Sequence, residues 1–386
     1  MEVSARVPLG SSHVQVTRMG LGTVPLGGLY ESVGDEEALA LVRRSFDLGV
    51  RLFDTAPQYG SGLAERRLAH VLPELPREDL IVSTKVGRLI RPTTTRGKVA
   101  TVLREAVTNR DTSRLTGAAR HVVHRLSGRS AHPPATTTIA DAPDPRLAPM
   151  FDFSYDGAMR SLEESLERLR LDRVDMLLLH DPDYYFKQAM SGAYRALERL
   201  RADGTVGAIG VGMNQSAMLA RFAAEADFDC FLVAGRYTLL DQTALDDLLP
   251  ACERRGSSVI VGGVYNSGIL ADPRPGTHFN YEPATQIWLD KALKIKAVCD
   301  RHGVPLKAAA IQFPLGHPAV ATVLAGSRSV AEVEENAAML AHPIPAELWA
   351  ELRGEGLIGP HVPTPGPGTL SGNPVAPTAK TAVAAT

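Results

Sequence analysis

Residues 155–181, YDGAMRSLEESLERLRLDRVDMLLLHD, hold a helix and then a strand. Met159, Leu162, Leu166 and Leu169 recur at helical spacing on one face, with Glu163, Glu164, Glu167 and Arg168 largely outside it. The spacing predicts an amphipathic helix over Tyr155–Leu171. The apolar run VDMLLLHD (174–181) then predicts a strand buried on both faces, ending at His180.

The same unit repeats outward in both directions. Ala38, Leu41, Val42 and Phe46 place a helix over Asp35–Gly49, ahead of the strand RLFDTA (51–56). A helix over Gly62–Leu72 precedes LIVSTKVG (80–87). Helix Ala193–Ala202 leads into AIGVGM (208–213), helix Ser216–Ala226 into CFLVAGR (230–236), and helix Ala244–Arg255 into SVIVGGV (258–264). Helical stretches at Ile287–His302 and Leu306–Leu315 come before TVLAGS (322–327), and helix Val330–Leu340 after it. A first strand near Leu21 brings the total to eight. Such alternation means a parallel sheet, either open and doubly wound or closed as a (β/α)8 barrel. Eight units favour the barrel. An open dinucleotide-binding sheet needs G-x-G-x-x-G after its first strand. The glycines of MGLGTVPLGG (19–28) have a different spacing.

Two segments break the rhythm. Residues 91–150 carry ten Lys/Arg against four Asp/Glu, leaving 31 and 39 for the rest of the chain. His121, His124 and His132 add possible charge, and Thr101–Asn109 and Ser113–Leu126 have local helical character. This insert reads as a mobile basic loop or as a lid, interface or anion-attracting flap. From about Pro360 the chain is rich in Pro, Gly, Ala and Thr, so a disordered tail over 360–386 is expected after one domain spanning 1–359.

A formal net charge of -2 gives no reason to expect nucleic-acid or membrane partners. Cys230, Cys252 and Cys299 are widely spaced, so neither a disulfide framework nor a metal site is expected. The start MEVSARVPLGSSHVQV lacks a signal-peptide pattern. A cytoplasmic, soluble protein is expected, with an oligomeric state that the sequence does not reveal.

Barrels project reactive side chains from the C-terminal ends of their strands. Asp54 ends RLFD, Lys85 ends LIVSTK, His180 ends MLLLH, and Tyr59 follows Asp54 on the loop PQYG. Taken singly, these are a turn cap, a solvated charge, a core histidine and a rim aromatic. Taken together, they form a proton-transfer device. A free tyrosine, with a pKa of about 10, is a poor acid or base at neutral pH. An adjacent ammonium is expected to lower that value, with Asp54 holding Lys85 charged. No nucleophile or metal-ligand set accompanies them, which suits proton transfer at oxygen coupled to hydride transfer. A second constellation lies in VLAGSRSVAEVEENAAM (323–339). There a strand end, a helix start and Arg328 can form an anion site.

The stretches FDTAPQYGSGLAE (53–65), STKVG (83–87) and VDMLLLHDPD (174–183) resemble the aldo-keto reductases over roughly residues 5–90 and 150–345. GLGTVPLGGLY (20–30), IGVGMNQ (209–215), VAGRYTLLDQ (233–242), GGVYNSGIL (262–270) and AAAIQFPLGHPAV (308–320) are similar to one branch of that family. This is the branch of L-fucose (D-threo-aldose), L-galactose and pyridoxal dehydrogenases. The resemblance implies a (β/α)8 barrel whose base is closed by a hairpin, here Arg6–Arg18. It also implies NAD or NADP bound without a Rossmann domain, and oxidation of an aldose to a lactone with Tyr59 as general acid/base. It assigns Gly22, Thr23 and Val24 to the turn beneath the nicotinamide and matches Met213 and Asn214 to the family's Ser-Asn pair, with Asn214 holding the carboxamide and Asp54 nearby. Gly326, Ser327 and Arg328 fall to the pyrophosphate and ribose, and Glu335 and Asn336 to the adenine. Glu332 beside the adenosine ribose points to NAD, while Arg328 pulls towards NADP. Gly262 stands where many relatives place an aromatic ring. Tyr30, Asp181, Arg236, Trp288 and His317 are candidate substrate contacts. Reduction of a ketone or aldehyde in a specialised pathway remains a second reading, and a non-catalytic nucleotide-binding or scaffold barrel a third.

Overall fold

The runs without a polar face pair in parallel and close on themselves. In the computed structural model, which describes residues 1–29, 31–93 and 142–366, they are β1 (Met19–Gly22), β2 (Leu52–Asp54), β3 (Ile81–Val86), β4 (Met176–His180), β5 (Ala208–Met213), β6 (Cys230–Ala234), β7 (Ser258–Gly262) and β8 (Val320–Gly326). β8 returns to β1 with Gly326 opposite Gly22, which closes the barrel. Successive side chains alternate between its two faces. Leu52, Met176, Leu178, Cys230 and Ile260 pack inside with Val7, Leu9, Val14 and Val16. Those four valines and leucines come from the hairpin Arg6–Pro8/Gln15–Thr17 and its turn, so the N-terminal end of the barrel is plugged as expected. Phe53, Leu177, Leu179, Ile209, Val211 and Met213 face the outer core beneath the helices.

The opening helix runs Tyr155–Leu169, capped by Ser154, whose hydroxyl accepts from the Gly157 N–H at 3.0 Å. It stops where Arg170 takes a left-handed conformation. Burial of Leu162 and Leu169 contributes about 1.5–3 kcal/mol each.

Several boundaries differ from expectation. The helix placed over Gly62–Leu72 is only Leu63–Leu68, followed by a turn through Leu72–Glu74 that contains Pro73. An unforeseen helix, Ala346–Gly354, packs on the outer ring through Leu348, Trp349 and Leu352. The expected disordered tail begins too early at Pro360. Val362 is buried, and Arg353 donates to the Val362 carbonyl at 3.0 Å and to the Thr364 hydroxyl at 2.6 Å. The ends of the 91–150 insert are not loop either. They belong to a hairpin, Arg88–Pro92 paired with Leu147–Phe151. The helical stretches at 101–109 and 113–126, the remaining tail and Tyr30 lie outside the described residues.

Candidate active site

Asp54 is the last residue of β2, His180 the last of β4, and Lys85 lies one residue from the end of β3. Strand parity sends each to the inner face, so all three emerge at the C-terminal mouth of the barrel. Tyr59 stands on the turn after β2, held by its N–H donating to the Ala56 carbonyl and by its carbonyl accepting from Ala64. The Lys85 ammonium donates to Asp54 Oδ2 at 2.6 Å, to the Thr55 carbonyl at 2.9 Å and to the Tyr59 hydroxyl at 3.0 Å. Ser83 donates to the other Asp54 oxygen at 2.9 Å. The His180 ring meets Tyr59 edge-on, with centroids 5.8 Å apart.

Burial pushes the Tyr59 phenol up to about 12, although Lys85 pulls it the other way. The expected lowering is therefore overturned. At the mouth the phenolate loses its hydration, and Asp54 offsets part of the Lys85 charge. Tyr59 is a protonated acid at neutral pH. Burial also works against the Lys85 charge, but Asp54 and Tyr59 outweigh it and hold the ammonium above its ordinary range. His180 is driven well below its ordinary range by burial, then by Arg88 and Lys85, so it is a neutral imidazole. Its Nδ1 is buried with no hydrogen-bond partner among the described residues.

No motif marks Arg88, yet it lies against this cluster. β3 ends at Val86, and Gly87 takes a φ of +100°; a Cβ there would sit 2.1 Å from the Phe153 ring. That turn sends Arg88 under the mouth, buried, with its Nε 3.4 Å from the His180 carbonyl. Its other nitrogens donate to Gln58 Oε1 and to Asp181 Oδ2, and its guanidinium stacks 4.9 Å from the Phe151 ring.

The other expected residues divide. Asp181 stands beside His180, with Oδ2 3.7 Å from Nε2. Arg236, after β6, is paired with Asp241 at 3.6 Å. Trp288, at the start of the helix Gln286–Arg301, stacks on Phe279 at 4.1 Å. His317 is not brought to the mouth. It precedes β8 rather than following it, and so lies at the opposite, N-terminal end, edge-on to Tyr237. Met213 sends its side chain into the outer core, because Gly212 takes the inward position. Asn214 follows it at the mouth. Thr23 is buried, and its hydroxyl donates to the Asp54 carbonyl at 2.9 Å.

Beyond β8, Asn336 donates to the Ser327 hydroxyl at 3.0 Å and accepts from the Tyr265 hydroxyl at 2.7 Å. Glu335 pairs with Lys307 at 2.7 Å. Arg328 pairs with Glu332 at 2.9 Å and with Glu31 at 2.6 Å. Between the two clusters, Gly22, Gly212 and Gly262 occupy inward positions at strand ends. A Cβ on any of them would make ordinary van der Waals contact, its nearest neighbour at 3.5–3.7 Å. At these positions the floor of the mouth presents backbone rather than side chains, with the polar Ser327–Asn336 segment beside it. These residues fit the dinucleotide that the resemblance implies. Among the described residues, no three His, Cys, Asp or Glu side chains are grouped to hold a metal, and no helix is long and apolar enough to cross a membrane.

Residues 18–354 match the aldo/keto reductase family. The chain is 40% identical over 359 residues to D-threo-aldose 1-dehydrogenase of a Pseudomonas species, covering 92% of this chain and 97% of that protein. It is 36% identical over 372 residues to pyridoxal 4-dehydrogenase of Microbacterium luteolum, covering 93% and 99%. Among solved structures, the holo form of aldo-keto reductase AKR11C1 from Bacillus halodurans is similar with a TM-score of 0.64 at 22% identity, covering 91% and 96%; that likeness bears on the fold alone. The chain belongs to the aldo/keto reductase family and is an NAD(P)-dependent oxidoreductase.

Proposed function

We propose that the protein oxidises the anomeric carbon of a cyclic aldose, such as L-fucose, to a lactone. The chain of contacts Asp54–Lys85–Tyr59, at 2.6 and 3.0 Å in the barrel mouth, carries this reading. The 40% identity to D-threo-aldose 1-dehydrogenase supports the substrate class. A bound nicotinamide supplies the hydride acceptor, or the donor in reverse. The proton is the protein's part. As the anomeric carbon loses hydride, its hydroxyl gives up a proton to Tyr59, and the carbon–oxygen bond becomes the lactone carbonyl. Lys85 stabilises the phenolate form of Tyr59, Asp54 holds Lys85 in place, and neutral His180 orients the reacting oxygen.

The dinucleotide would be held by Gly22, Thr23 and Val24, by Asn214 and the Met213 backbone, and by Gly326, Ser327, Arg328, Glu335 and Asn336. NAD is the preferred form, since Glu31 and Glu332 both engage Arg328. A phosphate on the adenosine ribose would meet two carboxylates there. Asp181, Arg236 and Trp288 remain proposed substrate contacts. One observation favours a second reading, reduction of a ketone or aldehyde: Tyr59 is protonated at neutral pH and ready to donate. Following reduced-nicotinamide absorbance with L-fucose, D-arabinose, L-galactose and pyridoxal tests the proposal. Lactone formation from the sugars is expected. No turnover of any sugar, with reduction of simple carbonyl compounds instead, would replace the first reading with the second.

A further inference from the structure

The proposed chemistry uses Tyr59, Lys85, Asp54 and His180, but leaves unexplained why the chain seats an arginine and an aspartate beside them. Asp181 has a φ of +45°, a conformation uncommon outside glycine, asparagine and aspartate, and its N–H donates to the Gly212 carbonyl at 3.0 Å. That conformation points its carboxylate along the His180 ring, with 3.7 Å between Oδ2 and Nε2. Two polar groups this close can engage oxygens on neighbouring carbons of one substrate. Asp181 keeps 32% of its side chain exposed to the mouth, whereas Arg88 keeps 10%. A ligand can therefore reach the carboxylate, and the guanidinium serves behind it. Arg88 is itself fixed by Gln58, the His180 carbonyl and the face of Phe151.

We propose that Asp181, aimed by Arg88, accepts a hydrogen bond from the hydroxyl on the carbon next to the reacting one. The pair thereby selects α-hydroxy carbonyl compounds and their cyclic hemiacetals over carbonyl compounds lacking that hydroxyl. This deepens the aldose reading and rests on it for the reacting oxygen. Arg88 is a positioning residue and Asp181 the contact. The charged and titratable groups facing the Asp181 carboxyl are Arg88, His180, Asp183, Lys85 and Tyr59. Burial raises this carboxyl above its ordinary range, and Arg88 restrains the rise. Removing Arg88 therefore moves the carboxyl towards a neutral group that no longer attracts a hydroxyl strongly.

The test compares kcat/KM for L-fucose with that for the analogue deoxygenated at the adjacent carbon. In reduction, it compares glyceraldehyde with propanal. The parent is expected to favour the hydroxylated partner by roughly 10- to 200-fold, the worth of one hydrogen bond to a charged acceptor. Arg88→Met should shrink that ratio to within about threefold, and Arg88→Lys should keep most of it. Asp181→Asn should reduce it as Arg88→Met does, and serves if Arg88→Met does not fold. Binding of reduced dinucleotide, followed by fluorescence, identifies folded variants. A merely structural role would lower both members of each pair equally, and an unchanged ratio in both variants overturns the proposal. A parent that makes no such discrimination also overturns it. Failure of the aldose reading shows separately, as absence of sugar oxidation with the glyceraldehyde-to-propanal ratio still measurable.

Discussion

The two sides of the barrel mouth handle charge in opposite ways. Around β2–β4 the Lys85–Asp54 pair is sealed, with side chains 1% and 4% exposed. Around the end of β8, Arg328 is 44% exposed, Glu332 35% and Glu31 70%. Removing one member of a buried pair strands a charge and costs about 3–5 kcal/mol. Exposed pairs contribute about 0–1 kcal/mol. On the first side, loss of either partner therefore strands a buried charge. The second is exposed and loosely held, which is what the proposed choice between two similar dinucleotides would use.

Lys85→Met is the strongest way to break this contrast. Asp54 would remain buried without its cation, so denaturant unfolding should report a loss of about 3–5 kcal/mol. Turnover should fall by roughly 10²- to 10⁴-fold, as expected for a disabled acid/base. A variant as stable and active as its parent would mean that the pair is not sealed in solution.

The pH dependence sharpens the same contrast. In the proposed mechanism oxidation uses the phenolate of Tyr59, the minor form below its pKa of about 12, and reduction uses the phenol. The kcat/KM for oxidation should therefore climb with pH through the neutral and alkaline range, by roughly tenfold per unit. Reduction should stay level over that range. A dehydrogenase profile already flat at neutral pH would show that Lys85 prevails over burial in setting the Tyr59 pKa.

The smallest effect belongs to the exposed side. Glu332→Gln should improve NADP affinity relative to NAD by roughly fivefold and change stability by less than about 1 kcal/mol. Fluorescence titration and a thermal melt read the two quantities. An unchanged affinity ratio would remove Glu332 from coenzyme choice.

Much of this site is legible in the sequence, because strand-end polar residues after apolar runs have a defined address once the barrel is recognised. Asp54, Lys85 and His180 follow from parity alone. The remaining features depend on tertiary detail. Arg88 enters the site only because Gly87 turns the chain under Phe153. His317 lies away from the mouth because the stretch before β8 reaches the closed end of the barrel. Met213 occupies the outward parity on β5, the opposite of Asp54 on β2, so its side chain enters the outer core. The Tyr59 pKa reverses direction because burial, which exceeds the pull of the neighbouring ammonium, is a property of the folded mouth. Val362 packs into the core and Arg353 bonds both Val362 and Thr364, contacts that composition does not announce.

In the proposed mechanism Tyr59 moves the proton while other residues hold the dinucleotide. Tyr59→Phe tests it most directly, with single-turnover hydride transfer and dinucleotide affinity measured on the same preparation. A loss of roughly 10²- to 10⁴-fold in the transfer step is expected, with affinity nearly unchanged. Transfer at the parental rate would contradict it.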